Sequence, residues 1–246
     1  ELFWQNITNT TVSTSNLEAA EITKLLNNSF RDLTFGFSNA FVEVATNLNL
    51  EANKIIRAAN SGYVRGNIPI SSPGVGGYCL TKDPYIYGSF DKNLNYSKLA
   101  HLTRNINKFS AEYPYKMLTK FCKIEKLSLS DLNVFIIGIA FKGDPPTNDL
   151  RESSSIYTYD LIAKDVKKIS CFDHVLSNSE YECPTFLNFA SLNEVKNADA
   201  IFILNNHQLN VKGDFFKLLN KKKKLFIFDG WGQIQKHQIE NNKLWT

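Results

Sequence analysis

From Leu17 to Lys126 apolar side chains recur every three or four residues. The series Ile22, Leu25, Leu26, Phe30, Leu33, Phe37, Phe41, Val44 and Leu48 holds that step over many turns, the period of one face of an α-helix. The pattern predicts one long amphipathic helix with a broad apolar face, then a second helix from about Leu50 to Ala59. The stretch Asn60 to Pro73 carries Gly62, Gly66, Pro69 and Pro73, too many breakers for regular structure. A third helical region covers about Asn95 to Lys126. It breaks near Pro114, whose ring and missing N–H interrupt a helix.

Beyond Asp131 the period changes. Val134 to Phe141, VFIIGIAF, is an unbroken apolar run, the mark of a strand buried on both faces. After a polar loop, a helix is expected from about Ser153 to Lys164. Further apolar runs follow at Val166 to Phe172, Ala200 to Leu204 and Leu225 to Phe228. Strands alternating with helices or loops predict a parallel sheet in an α/β unit. The chain thus divides into a helical part, 1–126, and an α/β part, 127–246. Ligands of such sheets sit at the carboxyl ends of the strands, which puts the loop Lys142 to Arg151 where a ligand would bind.

Composition narrows the partners. The 246 residues are 43% hydrophobic and 21% charged, as in ordinary soluble domains. No apolar run reaches the length of a bilayer-spanning helix, and no signal peptide opens the chain. It starts at Glu1 without a methionine, which reads as a fragment. The formal charge of +4 suits an anionic small molecule and is too slight to argue for nucleic acid. The densest basic run, Lys221 to Lys224, precedes an apolar run and reads as a solvated loop feeding a strand. Cys79, Cys122, Cys171 and Cys183 have the spacing of neither a zinc site nor a disulfide scaffold. Reduced thiols in the cytoplasm are the simplest reading, and no metal ligand set is expected. The sequons at Asn6, Asn9, Asn27 and Asn95 are then incidental.

Candidate chemistry is sparse but concentrated. GIAFKGD, Gly138 to Asp144, fails as a P-loop, because Asp144 and Pro145 stand where Lys and Ser/Thr are required. No G-x-G-x-x-G occurs, and Gly74, Gly76 and Gly77 follow an irregular loop rather than a strand. Lys24 and Asn28 are four apart and share one helix face; by spacing alone they are either two solvated residues or two members of a site. In SSPGVGGYCLTKDP, Ser71 to Pro84, Cys79 is equally open. A free cysteine is more often buried and inert. Against that, the glycines let backbone amides approach a ligand, and nearby Lys82 favours a thiolate. Asp83 lies on the same side as Cys79 if a helical turn starts there.

Four stretches together resemble the UDP-glucose/GDP-mannose dehydrogenase family. They are TKLLNNSFRD (Thr23 to Asp32), SSPGVGGYCLTKDP, GIAFKGDPPTNDLRESS (Gly138 to Ser154) and ADAIFILNNHQ (Ala198 to Gln208), in the family's order. The closing FDGW, Phe228 to Trp231, looks like the family's last strand. The resemblance implies an all-helical central dimerisation domain followed by a Rossmann-like parallel-sheet domain that holds a nucleotide sugar. The family's N-terminal NAD-binding domain has no counterpart here, so the resemblance implies a fragment that does not turn over alone. Members oxidise the C6 alcohol of a nucleotide-linked sugar to a carboxylate with two NAD.

By resemblance Cys79 is the nucleophile of a thiohemiacetal and thioester, and Lys24 stabilises the oxyanions. Asn28 shares that task or positions water, and Asp83 is the base for the hydrolytic water. Arg65 looks like an arginine reaching a neighbouring subunit's substrate. Gly76 would approach the sugar, Lys142 would meet the sugar nucleotide, and Arg151 would aim at the NAD pyrophosphate; for Arg151 a loop-ordering salt bridge is the plain alternative. The chain departs from the family's pattern at Ala40, which follows Asn39 where a carboxylate is common. It departs again at Tyr78, where many members have His or Ser, and at Thr81, which replaces a usual proline. The NSFRD and PGVGG–C–DP wording is closest to the branch acting on UDP-N-acetylhexosamines such as UDP-N-acetylmannosamine. The alternatives are a UDP-glucose or GDP-mannose dehydrogenase, a non-catalytic nucleotide-sugar-binding and dimerisation module, and a plain α/β domain with a structural cysteine.

Overall fold

The computed structural model describes residues 2–178, 183–212, 215–219, 224–235, 239 and 243–245. Of the basic run, Lys221 to Lys223 lie outside the described residues. Lys224 is described, and its Nζ donates to the carbonyl of Glu125 at 3.0 Å. After a short α1 (Leu2–Gln5) come α2 (Leu17–Asn47), α3 (Ala52–Asn60), α4 (Tyr78–Gly88), α5 (Asn95–Ser110) and α6 (Tyr113–Glu125). The rest alternates: β1 (Asn133–Ile137), α7 (Ser154–Ala163), β2 (Lys168–Phe172), β3 (Ala200–Ile203), α8 (Phe215–Leu218), β4 (Phe226–Asp229) and β5 (Lys243–Trp245). Among the described residues, no helix is long and apolar enough to cross a membrane.

The spine of the helical part is α2, 31 residues long. Asn16 caps it by accepting a hydrogen bond from the Ala19 amide at 2.8 Å, which satisfies one of the orphan N–H groups of a first turn. The helix packs on α4 and α5. At Gly36 the approach to α5 is so close that an added Cβ would lie 2.4 Å from Thr103 Cγ2.

The residues that α2 buries most deeply lie on its polar side, while the broad apolar face is only partly covered, with Ile22, Leu25, Leu33 and Phe41 half-buried. Ser29, Asp32, Gly36, Ser38, Asn39 and Ala45 are buried. Leu26, Phe30, Phe37, Val44 and Leu48 stand in solvent, with Phe30 63% and Phe37 65% exposed. Small and polar residues let α4 and α5 come close and exchange hydrogen bonds, and the bulky stripe is left outward.

All five strands run parallel in the order β2-β1-β3-β4-β5. Alternate side chains go to opposite faces of a strand, and both faces here are covered. Val134 and Ile136 of β1 and Phe202 of β3 join Leu118 and Phe121 of α6 and Ile162 of α7 in one core. Phe135, Ile137, Ile201 and Ile203 join Val195 and Phe215 in the other. Thus α6 packs on the sheet, although a boundary at 126/127 assigns it to the helical part. The run VFIIGIAF is a strand only to Ile137, because Gly138 turns with φ +89° and ends the ladder. Since β2 and β3 flank β1 on opposite sides, the connections diverge at the carboxyl ends of β1 and β3, where such sheets open a crevice.

Candidate active site

The cysteine stretch is a loop followed by a helix. Gly77, with φ +87°, stands at the N-cap and α4 starts at Tyr78, so Cys79 sits in the first turn, exposed. That is the helix end whose dipole stabilises negative charge. Asp83 follows one turn later on the same side and is fully buried. The conditional expectation of a helical turn at this point holds over the whole 11-residue helix, with Pro84 inside it.

Asp83 gathers the polar residues. Asn28 Nδ2 donates to its Oδ2 at 2.6 Å, Lys24 Nζ lies 3.6 Å from the same oxygen, and Lys82 Nζ lies 2.5 Å from Oδ1. Burial pushes the Asp83 carboxyl up. The hydrogen bonds from Lys82 and Asn28, with the charges of Lys24 and Lys82, outweigh it and hold the group below the ordinary carboxylate range. Lys24 and Asn28, one turn apart on α2, therefore meet Asp83 of α4 rather than standing as independent solvated residues. Lys82 also lies over the Tyr78 ring, 5.4 Å from its centroid.

The glycines bring the sheet part against this loop. A Cβ on Gly76 would lie 1.9 Å from the Glu152 carbonyl oxygen, and one on Gly77 would lie 2.7 Å from the Phe141 ring. Gly76 is thus spent on contact with the chain's own backbone. Lys142, next to Phe141, is half-buried with its Nζ 5.4 Å from that ring. Arg151 faces the same surface, over Tyr78 at 5.2 Å. It also grips Asp149, Nε donating at 3.0 and 3.1 Å and an Nη at 2.7 Å, so the loop-ordering salt bridge is present. These hydrogen bonds hold the Asp149 carboxyl below its usual range. Arg65 stands exposed before α4, with no hydrogen bond or ion pair among the described residues.

The crevice beyond β1 and β3 is stitched by ADAIFILNNHQ. Asn206 Oδ1 accepts from the amides of Gly143 and Asp144 at 2.8 and 3.0 Å. A Cβ on Gly143 would lie 2.1 Å from the His207 amide nitrogen. The turn after β1 is not free to hold a pyrophosphate: the amides of Ile139 and Ala140 both donate to Asp173 Oδ2, at 2.9 and 3.0 Å. A cavity of about 480 Å3 lies elsewhere, lined among others by Asn53, Ser71, Ser72, Phe109 and Phe228. Lys24, Asn28, Cys79 and Asp83 do not line it.

Sequence reasoning missed the residues that hold the loop from behind. Asn39 Oδ1 accepts from the Ser72 amide at 2.8 Å, and Asn53 Oδ1 accepts from the amide and hydroxyl of Ser71 at 3.0 and 2.7 Å. Arg104 and Asn107 of α5 complete the support through Asp32. One signal was available: Asn28, Asp32, Gly36 and Asn39 continue the Lys24 stripe at helical spacing.

Comparison with known proteins identifies the family. The central-domain model of the UDP-glucose/GDP-mannose dehydrogenase family matches residues 18–109, and the family's UDP-binding-domain model matches residues 135–236. A UDP-N-acetyl-D-mannosamine dehydrogenase of Methanococcus aeolicus is 30% identical over 188 residues, which are 76% of this chain and 40% of that protein. An NDP-N-acetyl-D-galactosaminuronic acid dehydrogenase structure from Methanosarcina mazei superposes with a TM-score of 0.74 at 25% identity, covering 92% of this chain and 50% of that one. A UDP-D-ManNAc dehydrogenase structure from Pyrococcus horikoshii gives 0.73 at 26% identity, covering 91% and 50%. The chain spans half or less of the length of these relatives. It belongs to the UDP-glucose/GDP-mannose dehydrogenase family, of which it carries the central and UDP-binding domains.

Proposed function

We propose that the chain is the sugar-handling half of an NAD-dependent dehydrogenase that oxidises the C6 alcohol of a UDP-N-acetylhexosamine to a carboxylate. UDP-N-acetylmannosamine is the favoured substrate, because the relatives that match carry that name. The observation that carries the chemistry is the cluster of Lys24, Asn28 and Asp83 one helical turn from an exposed Cys79. Oxidation of an alcohol to a carboxylate removes two hydrides, which NAD accepts. This chain's sheet turn is occupied by Asp173, so the cofactor is held mainly by a domain outside these residues, with Arg151 on the facing surface.

The residues divide the work. An aldehyde cannot readily surrender a second hydride until a nucleophile makes its carbon tetrahedral. The Cys79 thiolate adds to that carbon, and the oxyanion so formed meets the Lys24 ammonium and the Asn28 amide. Loss of hydride from the thiohemiacetal gives a thioester. Water attacks the thioester carbon, the C–S bond breaks, and carboxylate and thiol separate. Asp83 fits this scheme better as an anchor than as the base expected from resemblance: a buried carboxylate with two hydrogen-bond donors and a further ammonium beside it, held below its ordinary range, accepts protons poorly near neutrality. Lys142 and the β1/β3 crevice would take the nucleotide.

Calorimetric titration of this chain with UDP-N-acetylmannosamine, UDP-glucose and GDP-mannose tests the proposal. UDP-N-acetylmannosamine is expected to bind at least about tenfold more tightly than GDP-mannose, a difference of ~1.4 kcal/mol. Absence of heat with every UDP-sugar at millimolar concentration defeats it. The outward apolar stripe of α2 is most simply covered by a second copy of the chain, and by resemblance the exposed Arg65 would then serve a neighbour's site. Sedimentation equilibrium should therefore report a dimer, and a monomer throughout the micromolar range would refute that assembly.

A further inference from the structure

Behind the cysteine loop lies a buried charge with two arms. Asp32 on α2 is 1% exposed, and its Oδ1 accepts from Arg104 at 2.5 Å and from Asn107 Nδ2 at 2.9 Å. The other nitrogen of the same guanidinium, Arg104 Nη2, donates to the Val75 carbonyl at 3.0 Å. Asn107 Oδ1 accepts from Asn39 Nδ2 at 2.8 Å, and Asn39 Oδ1 accepts from the Ser72 amide at 2.8 Å. Both arms end on loop backbone, at Ser72 and Val75, on either side of Pro73 and Gly74. Gly74 itself lies so close to α5 that a Cβ would sit 2.8 Å from the Asn107 carbonyl oxygen.

We propose that Arg104 is a positioning residue for Cys79: its guanidinium, oriented by Asp32, fixes the Val75 carbonyl four residues before the thiol and so sets where α4 begins. The inference draws its functional meaning from Cys79 as the nucleophile, but its test reads the thiol directly and needs no turnover. An arginine suits the task because its planar fork serves two acceptors at once from a fixed geometry. A lysine at the same place can neutralise Asp32 but offers a single point charge. The structure therefore predicts a separation of roles. The ion pair supports the fold, and the second nitrogen places the thiol in the first turn of α4, one turn before Asp83.

The chain carries its own controls, since Cys122 and Cys171 are buried while Cys79 is exposed. Iodoacetamide labelling followed by peptide mass spectrometry gives a rate for each thiol. In Arg104→Lys we expect Cys79 to react at least about fivefold more slowly than in the parent chain, a barrier change of ~1 kcal/mol. Cys122 and Cys171 stay protected, and the thermal midpoint falls by less than about 4 °C. Asn107→Ala, which cuts the Ser72 arm and one hydrogen bond to Asp32 but keeps the Arg104–Val75 bond, is the second variant and is expected to slow Cys79 less than Arg104→Lys does. A Cys79 rate within twofold of the parent in Arg104→Lys, with the buried thiols protected, overturns the proposal. Labelling of Cys122 or Cys171 in both variants also overturns it, because Arg104 would then only hold the fold together.

Discussion

Replacing Cys79 with serine is expected to leave UDP-sugar affinity within about threefold of the parent, under ~1 kcal/mol. In protein that also carries the NAD-binding domain, full oxidation to the carboxylate is expected to fall at least about 10^4-fold, the scale on which loss of a nucleophile acts. The reasons lie in the geometry. Cys79 is exposed in the first turn of α4, so the one-atom change disturbs no core packing. A serine hydroxyl is a weak nucleophile at neutral pH without an adjacent base to activate it. The carboxylate one turn on in α4, Asp83, is already engaged by Lys24, Asn28 and Lys82. Stopped-flow NADH absorbance with calorimetry of sugar binding separates the two quantities. Loss of binding together with turnover would make the cysteine structural. Turnover that survives the change would remove the covalent route.

The second large effect is at Asp83. Asp83→Asn is expected to lower turnover about 10^2-fold, the cost of a catalytic group displaced by about an ångström, because Lys24 and Lys82 lose the carboxylate that holds them. Its effect on stability depends on pH with a definite sign. The folded carboxyl is held below its ordinary value, so the unfolded chain takes up the proton first as pH falls. The stabilisation from ionised Asp83 is complete above the ordinary Asp value, about 3.9, and is lost as pH drops through the lower folded value. Urea denaturation from pH 3 to 7 should show parent and variant converging only at the acid end. An acid limb of turnover near neutrality that disappears in Asp83→Asn would contradict the anchor role and restore the carboxyl as base.

Much of this architecture was legible. The three-and-four step of α2, the apolar run at β1 and the alternation after it led to the observed elements, and the cysteine stretch and the FKG…DLRES loop do meet across Gly76 and Gly77. Two features were not legible, for physical reasons. Helix α4 was obscured by three preceding glycines and by Pro84, which weaken any local helical signal although tertiary contacts with α2 and α5 stabilise it. The support behind the loop was hidden because Asp32, Asn39, Arg104 and Asn107 look like residues for a solvated face. Burial of such groups shows only when their partners, far apart in sequence, are brought together. Arg151 shows a further limit: a loop-ordering salt bridge stood as its alternative to a cofactor contact, but spacing could not name Asp149 as the partner.

The two stripes of α2 have a consequence for the physical state of the protein. The polar stripe through Asp32 and Asn39 specifies how one chain folds. The stripe through Phe30 and Phe37 gives a single chain almost nothing, since it remains in water. In an assembly that covers it, stability becomes a property of the solution as well as of the sequence. Dilution then acts as a denaturant of its own kind, and melting curves taken at different protein concentrations would not superimpose.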